Sequence, residues 1–169
     1  MAGLAAAGLL IGLVCLWFFW KERSQVFEGP FIVVDGETLL SGGQRLHLSG
    51  IDAPEIGQRC RDGEGRPRLC GAEARSGLAA RMAVSDARCT GTGARDELGR
   101  LYVSCTAAGQ DVAADMVRAG LVLNASGYDQ QEKEAQAKKL GLWSGSFDRP
   151  EDWRKRHPRA QIFMNRNEP

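Results

Sequence analysis

From Ala2 to Trp20 the chain carries no charged side chain, and all 22 Lys and Arg and all 21 Asp and Glu come later. That division limits what can fold where. A helix over these nineteen positions rises roughly 28 Å, the thickness of a hydrocarbon core. Trp17 and Trp20 stand near its end, where amphipathic rings favour the membrane interface. A cleaved signal peptide would need a basic start and a small-residue cleavage site. Instead Trp-Phe-Phe-Trp runs directly into Lys21-Glu22-Arg23. We therefore read residues 1–20 as an uncleaved transmembrane anchor and residues 21–30 as a polar linker ending at Gly29-Pro30.

Orientation is contested by two signals. Lys21 and Arg23 follow the apolar segment, which by the positive-inside tendency would keep the body in the cytoplasm. Against that stand four cysteines in the body, Cys60, Cys70, Cys89 and Cys105. None forms a CxxC and only two His are present, so zinc is a poor explanation. An even four in a small domain favours disulfides and an oxidising compartment. The simplest of three pairings joins near neighbours, Cys60 with Cys70 and Cys89 with Cys105. A loop the length of the second would stabilise by roughly 3 kcal/mol in the chain-entropy model. The cysteines outweigh two flanking charges and predict a single-pass inner-membrane protein facing the periplasm or exterior.

The body is long enough for one core, and its ordinary mixture of apolar and charged residues excludes a disordered or fibrous chain. Phe31-Ile32-Val33-Val34 is a β-branched run, Asp35-Gly36 turns it, and Thr38-Leu39-Leu40 resumes. Ser41-Gly42-Gly43 is a second turn, and Gln44 to Ser49 alternates as a half-buried strand does. Further strands are expected at Ala87–Thr92 and Leu101–Thr106, and helices at Ala72–Val84, Val112–Ala119 and Asp129–Leu140. In the last helix Asp129 and Glu132 fit a capping box, and Glu134 and Lys138 an i,i+4 pair. Five short strands and three helices, the first three strands contiguous, suggest a small closed sheet such as an OB barrel.

Chemistry concentrates in Asp35-Gly36-Glu37-Thr38 and in Gly50-Ile51-Asp52-Ala53-Pro54-Glu55. Carboxylates near strand ends, with Pro54 stiffening the turn between Asp52 and Glu55, make an oxygen-rich cluster suited to Ca²⁺ or Mg²⁺. An isolated Asp-Gly is ordinarily a turn and nothing more. The two segments gain weight from Leu98-Gly99-Arg100, Val117-Arg118-Ala119-Gly120-Leu121, Glu134-Ala135-Gln136-Ala137-Lys138-Lys139 and Gly141-Leu142-Trp143.

In their order and spacing, from about Phe31 to Trp143, these pieces resemble the staphylococcal-nuclease-like (thermonuclease) family, in its secreted bacterial branch. The resemblance implies an α+β, mainly β domain: a five-stranded OB-fold barrel with about three helices over residues 31–145, followed by a basic tail over 146–169. It implies Ca²⁺-dependent hydrolysis of phosphodiesters in DNA or RNA, single-stranded or denatured, by a monomer. Carried over residue by residue, Asp52 and Glu37 match metal-ligand carboxylates and Ala53 a backbone carbonyl ligand. Glu55 matches the carboxylate that activates water, and Arg100 the arginine that holds phosphate. A guanidinium presents a fixed fork to phosphate oxygens, and a carboxylate can accept the proton of water.

The sequence departs from that family in three places. Five residues before Asp52, where the family has arginine, stands His47. A neutral imidazole has one donor and no charge, and loss of a preorganised charged donor costs roughly 10² to 10³ in rate. Arg45, two residues earlier on the same strand face, is a candidate to compensate. Glu37 stands where the family usually has Asp, which displaces the carboxylate by about one bond length; Ca²⁺ tolerates this better than Mg²⁺. The family's base-stacking tyrosine has no clear counterpart other than Tyr128. Arg59 and Arg61, in the loop rich in arginine, and the tail Arg154-Lys155-Arg156 are basic clusters that could meet nucleic acid; beside an anchor, the tail could equally meet anionic lipid. Two functions follow: a membrane-anchored, weakened nuclease, or a catalytically impaired module that binds nucleic acid or protein.

Overall fold

The computed structural model of the chain describes residues 24–158. The expected anchor, residues 1–20, and the end of the expected tail lie outside the described residues. Among the described residues no helix is long and apolar enough to cross a membrane.

The strands are β1 (Gln25–Glu28), β2 (Ile32–Val33), β3 (Thr38–Ser41), β4 (Gln44–Leu48), β5 (Ile51–Asp52), β6 (Cys60–Arg61), β7 (Pro67–Arg68), β8 (Arg88–Arg95), β9 (Leu101–Ala107), β10 (Gln110–Asp111) and β11 (Leu123–Asn124). Four α-helices are interspersed: α1 (Cys70–Met82), α2 (Val112–Arg118), α3 (Asp129–Ala137) and α4 (Pro150–Arg156). A 3-10 turn spans Gly141–Ser144. The main sheet has seven strands in the order β1-β8-β9-β4-β3-β2, with β10 on β9. It curls into a half-barrel, an OB-like mixed α/β arrangement.

Local chemistry explains the central strands. Gly42 and Gly43 take φ of 56° and 79° between Ser41 and its partner Gln44. Two left-handed residues make the tight hairpin turn whose twist matches the strands it joins. In β9, Leu101, Val103, Cys105 and Ala107 are buried in strict alternation, and they face Leu39, Leu46, Leu48, Met116 and Val117 in the core. In β4 the alternation fails, because Leu46, His47 and Leu48 are all buried. The strand is covered on both faces, and the second face is the wall of the cleft described below. Helix α2 begins where Asp111 accepts from the Ala114 N–H at 3.0 Å, an N-cap. The sulfurs of Cys60 and Cys70, and of Cys89 and Cys105, lie at disulfide distance, and the second pair joins directly opposed residues of β8 and β9.

Four expectations are corrected. Residues 25–28, expected as linker, form β1 on the edge of the sheet, with Phe27 opposite Cys89 and packed on the core. The capping box at Asp129 is not formed. Tyr128 is the N-cap, and both acids turn to Asn124, Asp129 accepting from its side chain at 2.8 Å and Glu132 from its N–H at 3.0 Å. Glu134 turns to Arg118, with Oε2 at 3.3 Å from Nε, rather than along its own helix to Lys138. The expected tail begins with a folded helix, α4, with Pro150 buried at its start.

Candidate active site

A cleft of about 860 Å³ opens on the outer face of β4. Its walls include all seven residues the sequence assigned to metal and chemistry: Glu37, Arg45, His47, Asp52, Ala53, Glu55 and Arg100. Topology brings them together. Antiparallel pairing sets His47 opposite Thr38, and parallel pairing of β4 with β9 sets it beside Tyr102. Glu37 and Arg100, each just ahead of its strand, therefore meet across β4. Asp52 lies on β5, held by β11. A second hollow of about 440 Å³, between β2 and α1, gathers no comparable set of titratable groups.

Two turns interlock at the base of the cleft. Asp35 accepts from the N–H groups of Glu37 and Thr38 at 2.8 and 2.7 Å, an Asx turn that aims Glu37 inward. Gly36 permits this, because a Cβ there would lie 2.8 Å from the Cβ atoms of both Ala53 and Ala74. Glu37 then accepts from the Ala53 N–H at 2.9 Å, joining the first carboxylate segment to the second. Its other oxygen is 3.2 Å from Arg100 Nη1 and 3.5 Å from His47 Nδ1, which makes no hydrogen bond among the described residues. Burial, then Asp35, pushes the Glu37 carboxyl up to about 7. Burial, then Arg100, pushes His47 down to about 4. Burial thus keeps the imidazole neutral and favours a proton on the carboxylate over one on the ring.

Arg100 is anchored on three sides. Nε donates to Asp96 at 2.5 Å, and Nη1 to Thr38 at 2.7 Å and to Glu37. Burial alone would lower its pKa, but Glu37 and Asp96 reverse this and leave it above the ordinary value. Nη2 makes no hydrogen bond among the described residues and is left for a ligand. Asp96, which grips Arg100 four residues on, was not singled out in the sequence.

The second carboxylate pair has a partner from the far end of the chain, read in the sequence only as part of a basic tail. Arg154 of α4 donates through Nη1 to Asp52 at 3.0 Å and to Glu55 at 3.1 Å. Burial raises the Glu55 pKa and Arg154 pulls against it. The turn carrying Glu55 is bolted to α4 by Gln58, which is fully buried. Gln58 accepts from the Glu55 N–H at 3.2 Å and donates to the Asp148 carbonyl at 2.8 Å. Helix α1 packs behind it so closely that a Cβ on Gly71 would overlap the Glu55 carbonyl.

Three expected nucleic-acid contacts lie away from the cleft walls. Arg59 is exposed, and Arg61 donates to the Gly65 carbonyl at 2.8 Å within its own loop. Tyr128 packs on the core, and its hydroxyl is 3.2 Å from Asp111. Most of the arginine-rich loop is spent internally, on Asp62, Glu64, Glu73 and the Gly141 carbonyl.

No group of three or more His, Cys, Asp or Glu side chains is spaced to hold a metal among the described residues. A cation here would have two carboxylates, Glu37 and Asp52, with the Ala53 carbonyl. These donors are hard oxygens of the kind Ca²⁺ takes, although Arg100 and Arg154 already sit against the two carboxylates.

Residues 45–145 match the family model described as Staphylococcal nuclease homologue. A curated relative, the Succinoglycan biosynthesis protein ExoI of Rhizobium meliloti (strain 1021), is 34% identical over 122 residues. That match covers 68% of this chain, and the chain spans 63% of the relative's length.

Proposed function

Because the chain belongs to the staphylococcal nuclease homologue family, we propose that its cleft hydrolyses phosphodiesters of single-stranded or denatured DNA or RNA with the help of Ca²⁺. Membership makes the domain nuclease-like or nucleic-acid-binding; cleavage, and the roles below, are our reading. The observation that carries it is the convergence of Glu37, Asp52, Glu55 and Arg100 in one cleft, with Glu55 half-buried and its pKa raised.

Glu37, Asp52 and the Ala53 carbonyl would hold the ion, which when bound would neutralise phosphate charge. Arg100, fixed by Asp96 and Thr38, offers Nη2 to a non-bridging phosphate oxygen. Glu55 accepts a proton from water as the water oxygen attacks phosphorus. The P–O bond to the leaving sugar oxygen breaks, and that oxygen takes a proton from solvent. Arg45 lies on the same wall and adds positive charge; His47, being neutral, adds none. We further propose that residues 2–20 tether the domain to the inner membrane facing the periplasm or cell exterior, that the two cysteine pairs are disulfides, and that the protein is a monomer.

The full-length chain, purified in detergent, is incubated with denatured DNA in Ca²⁺ and in chelator. Ca²⁺-dependent cleavage is expected; its absence at high protein concentration overturns the nuclease reading. A second reading, an impaired nucleic-acid-binding module, is favoured by one observation, the pairing of both Asp52 and Glu55 with Arg154. Strand binding without cleavage would establish it.

A further inference from the structure

The cleft contains a guanidinium that lies beyond the family match, which ends at residue 145, and that the sequence showed only as part of a basic tail. Arg154 reaches Asp52 and Glu55 across separations of 102 and 99 residues. Both bonds use one nitrogen, Nη1. Nε and Nη2 make no hydrogen bond among the described residues, and the side chain lines the cleft and is 28% exposed. The same cleft offers Nη2 of Arg100, whose other donors are committed to Asp96, Thr38 and Glu37. Between them His47 contributes no charge.

Two roles suit an arginine in this position. It could be a plug, neutralising the carboxylates until it is withdrawn, or it could be a permanent part of the phosphate site. The setting of α4 decides. A plug must leave, yet Gln58 ties the approach to α4 directly to the Glu55 turn through two hydrogen bonds of a fully buried amide. Pro150 is buried at the start of the helix, and Arg156 closes back on Asp148 at 2.7 Å. Trp153 and His157 stack at 4.3 Å on the following turn. The helix is built into the same block as the residue proposed to activate water, so Arg154 and Glu55 move together.

We propose that Arg154 is the second phosphate-binding guanidinium of the cleft, contacting the scissile phosphodiester through Nε and Nη2 while Nη1 stays on Asp52 and Glu55. The inference rests on the nuclease reading for its catalytic part and on phosphate contact alone for its binding part. Two guanidinium groups in one cleft can hold both non-bridging oxygens, and so orient phosphorus toward the water at Glu55. Holding Glu55 by one nitrogen also keeps its carboxylate aimed inward.

The test compares full-length Arg154→Ala, Arg154→Lys and Arg88→Ala. The last removes an equal charge from β8, where Arg88 pairs with Glu28 away from the cleft. Cleavage of denatured DNA in Ca²⁺ should fall about 10²-fold in Arg154→Ala, less in Arg154→Lys, and not at all in Arg88→Ala. Binding of a short fluorescein-labelled DNA single strand is followed in chelator against salt. The slope of log affinity on log salt should shrink by about 0.7 in Arg154→Ala, the value for one phosphate contact on a single strand. It should hold in Arg88→Ala. Should Arg154→Ala not fold by circular dichroism, Arg154→Gln replaces it, keeping an amide donor for the carboxylates. If Arg154→Ala cleaves as fast as the parent or faster while Glu55→Gln is inactive, this inference fails and the nuclease reading stands. If the parent itself does not cleave, that reading fails and the salt slope alone decides: an unchanged slope overturns the phosphate contact, and a reduced one supports it.

Discussion

Arg100 and Arg154 bring the same functional group into one cleft, and they are held in opposite ways. Arg100 comes from the sheet. Its side chain is 14% exposed, and two carboxylates and a hydroxyl fix it within a strand register. Arg154 comes from a helix outside the sheet, is 28% exposed, and grips two carboxylates by one nitrogen. The sheet half of the site is rigid but nearly spent, with most donors satisfied within the protein. The helix half keeps donors in reserve. A phosphate site needs both: a wall that does not move, and groups whose bonds are completed only by substrate.

The largest effect expected from breaking this division is at Glu55, where the helix half meets the chemistry. Glu55→Gln keeps size and an oxygen for Arg154 but cannot accept a proton, and cleavage should fall about 10²- to 10⁴-fold. Initial rates on denatured DNA measure it, and a loss smaller than tenfold would remove Glu55 from its assigned role. Next comes the sheet half. Asp96→Ala strands Arg100 in a largely buried position, so we expect a loss of about 3 kcal/mol in stability, seen as a lower Tm, together with about a 10²-fold loss in rate. Loss of rate at unchanged Tm would show that Arg100 is less firmly anchored than its three contacts imply. The contrast with Arg154→Lys, expected to lose rate and little stability, separates the rigid half from the reserve half.

His47→Arg sharpens the comparison from a third direction. It places a charge between the two halves, and the rate should rise about tenfold, part of what a preorganised charged donor contributes. An unchanged rate would mean that Arg154 and Arg45 already supply the charge that position 47 lacks. The parent and variant compared on the same substrate decide it.

What could be read from the sequence divides along the same line. The β3–β4 hairpin was legible because Gly42-Gly43 admits few turns, and β9 because its apolar residues alternate. Glu37, Asp52 and Glu55 stood out as carboxylates at strand ends beside a rigid proline turn, and Arg100 only through the family resemblance of the short segment Leu98-Gly99-Arg100. Arg154 left no such trace. A basic, exposed-looking run in a seven-residue helix reads as solvated charge, and its position depends on Gln58 and Pro150, whose burial comes from tertiary contacts. The edge strand β1 was missed for the same reason. Four residues, QVFE, with Phe27 packed inward, become a strand only because β8 offers an edge. The capping box failed because Asn124 competes for both acids across the loop.

The smallest expected effect lies in how burial splits the Glu37–His47 pair, and it can be read without substrate or metal. Glu37 is pushed up from 4.5 to about 7, so its contribution to stability is lost as pH rises from about 4.5 to about 7. His47 is pushed down from 6.5 to about 4, so its contribution is lost as pH falls from about 6.5 to about 4. Between about pH 4.5 and 6.5 the folded state carries the proton on Glu37 and the unfolded state carries it on the imidazole. The two slopes cancel, and the pair should leave stability flat across this window. His47→Gln removes one side of the balance. Relative to the parent, in chelator, the variant should then lose about 1.4 kcal/mol per pH unit as pH rises through the window, or about 5 °C in Tm per pH unit for a domain of this size. A Tm difference that does not change with pH would mean that Glu37 is already ionised, drawn down by Arg100. The sheet half would then be fully paired before any cation arrives, leaving the helix half as the place where substrate charge is met.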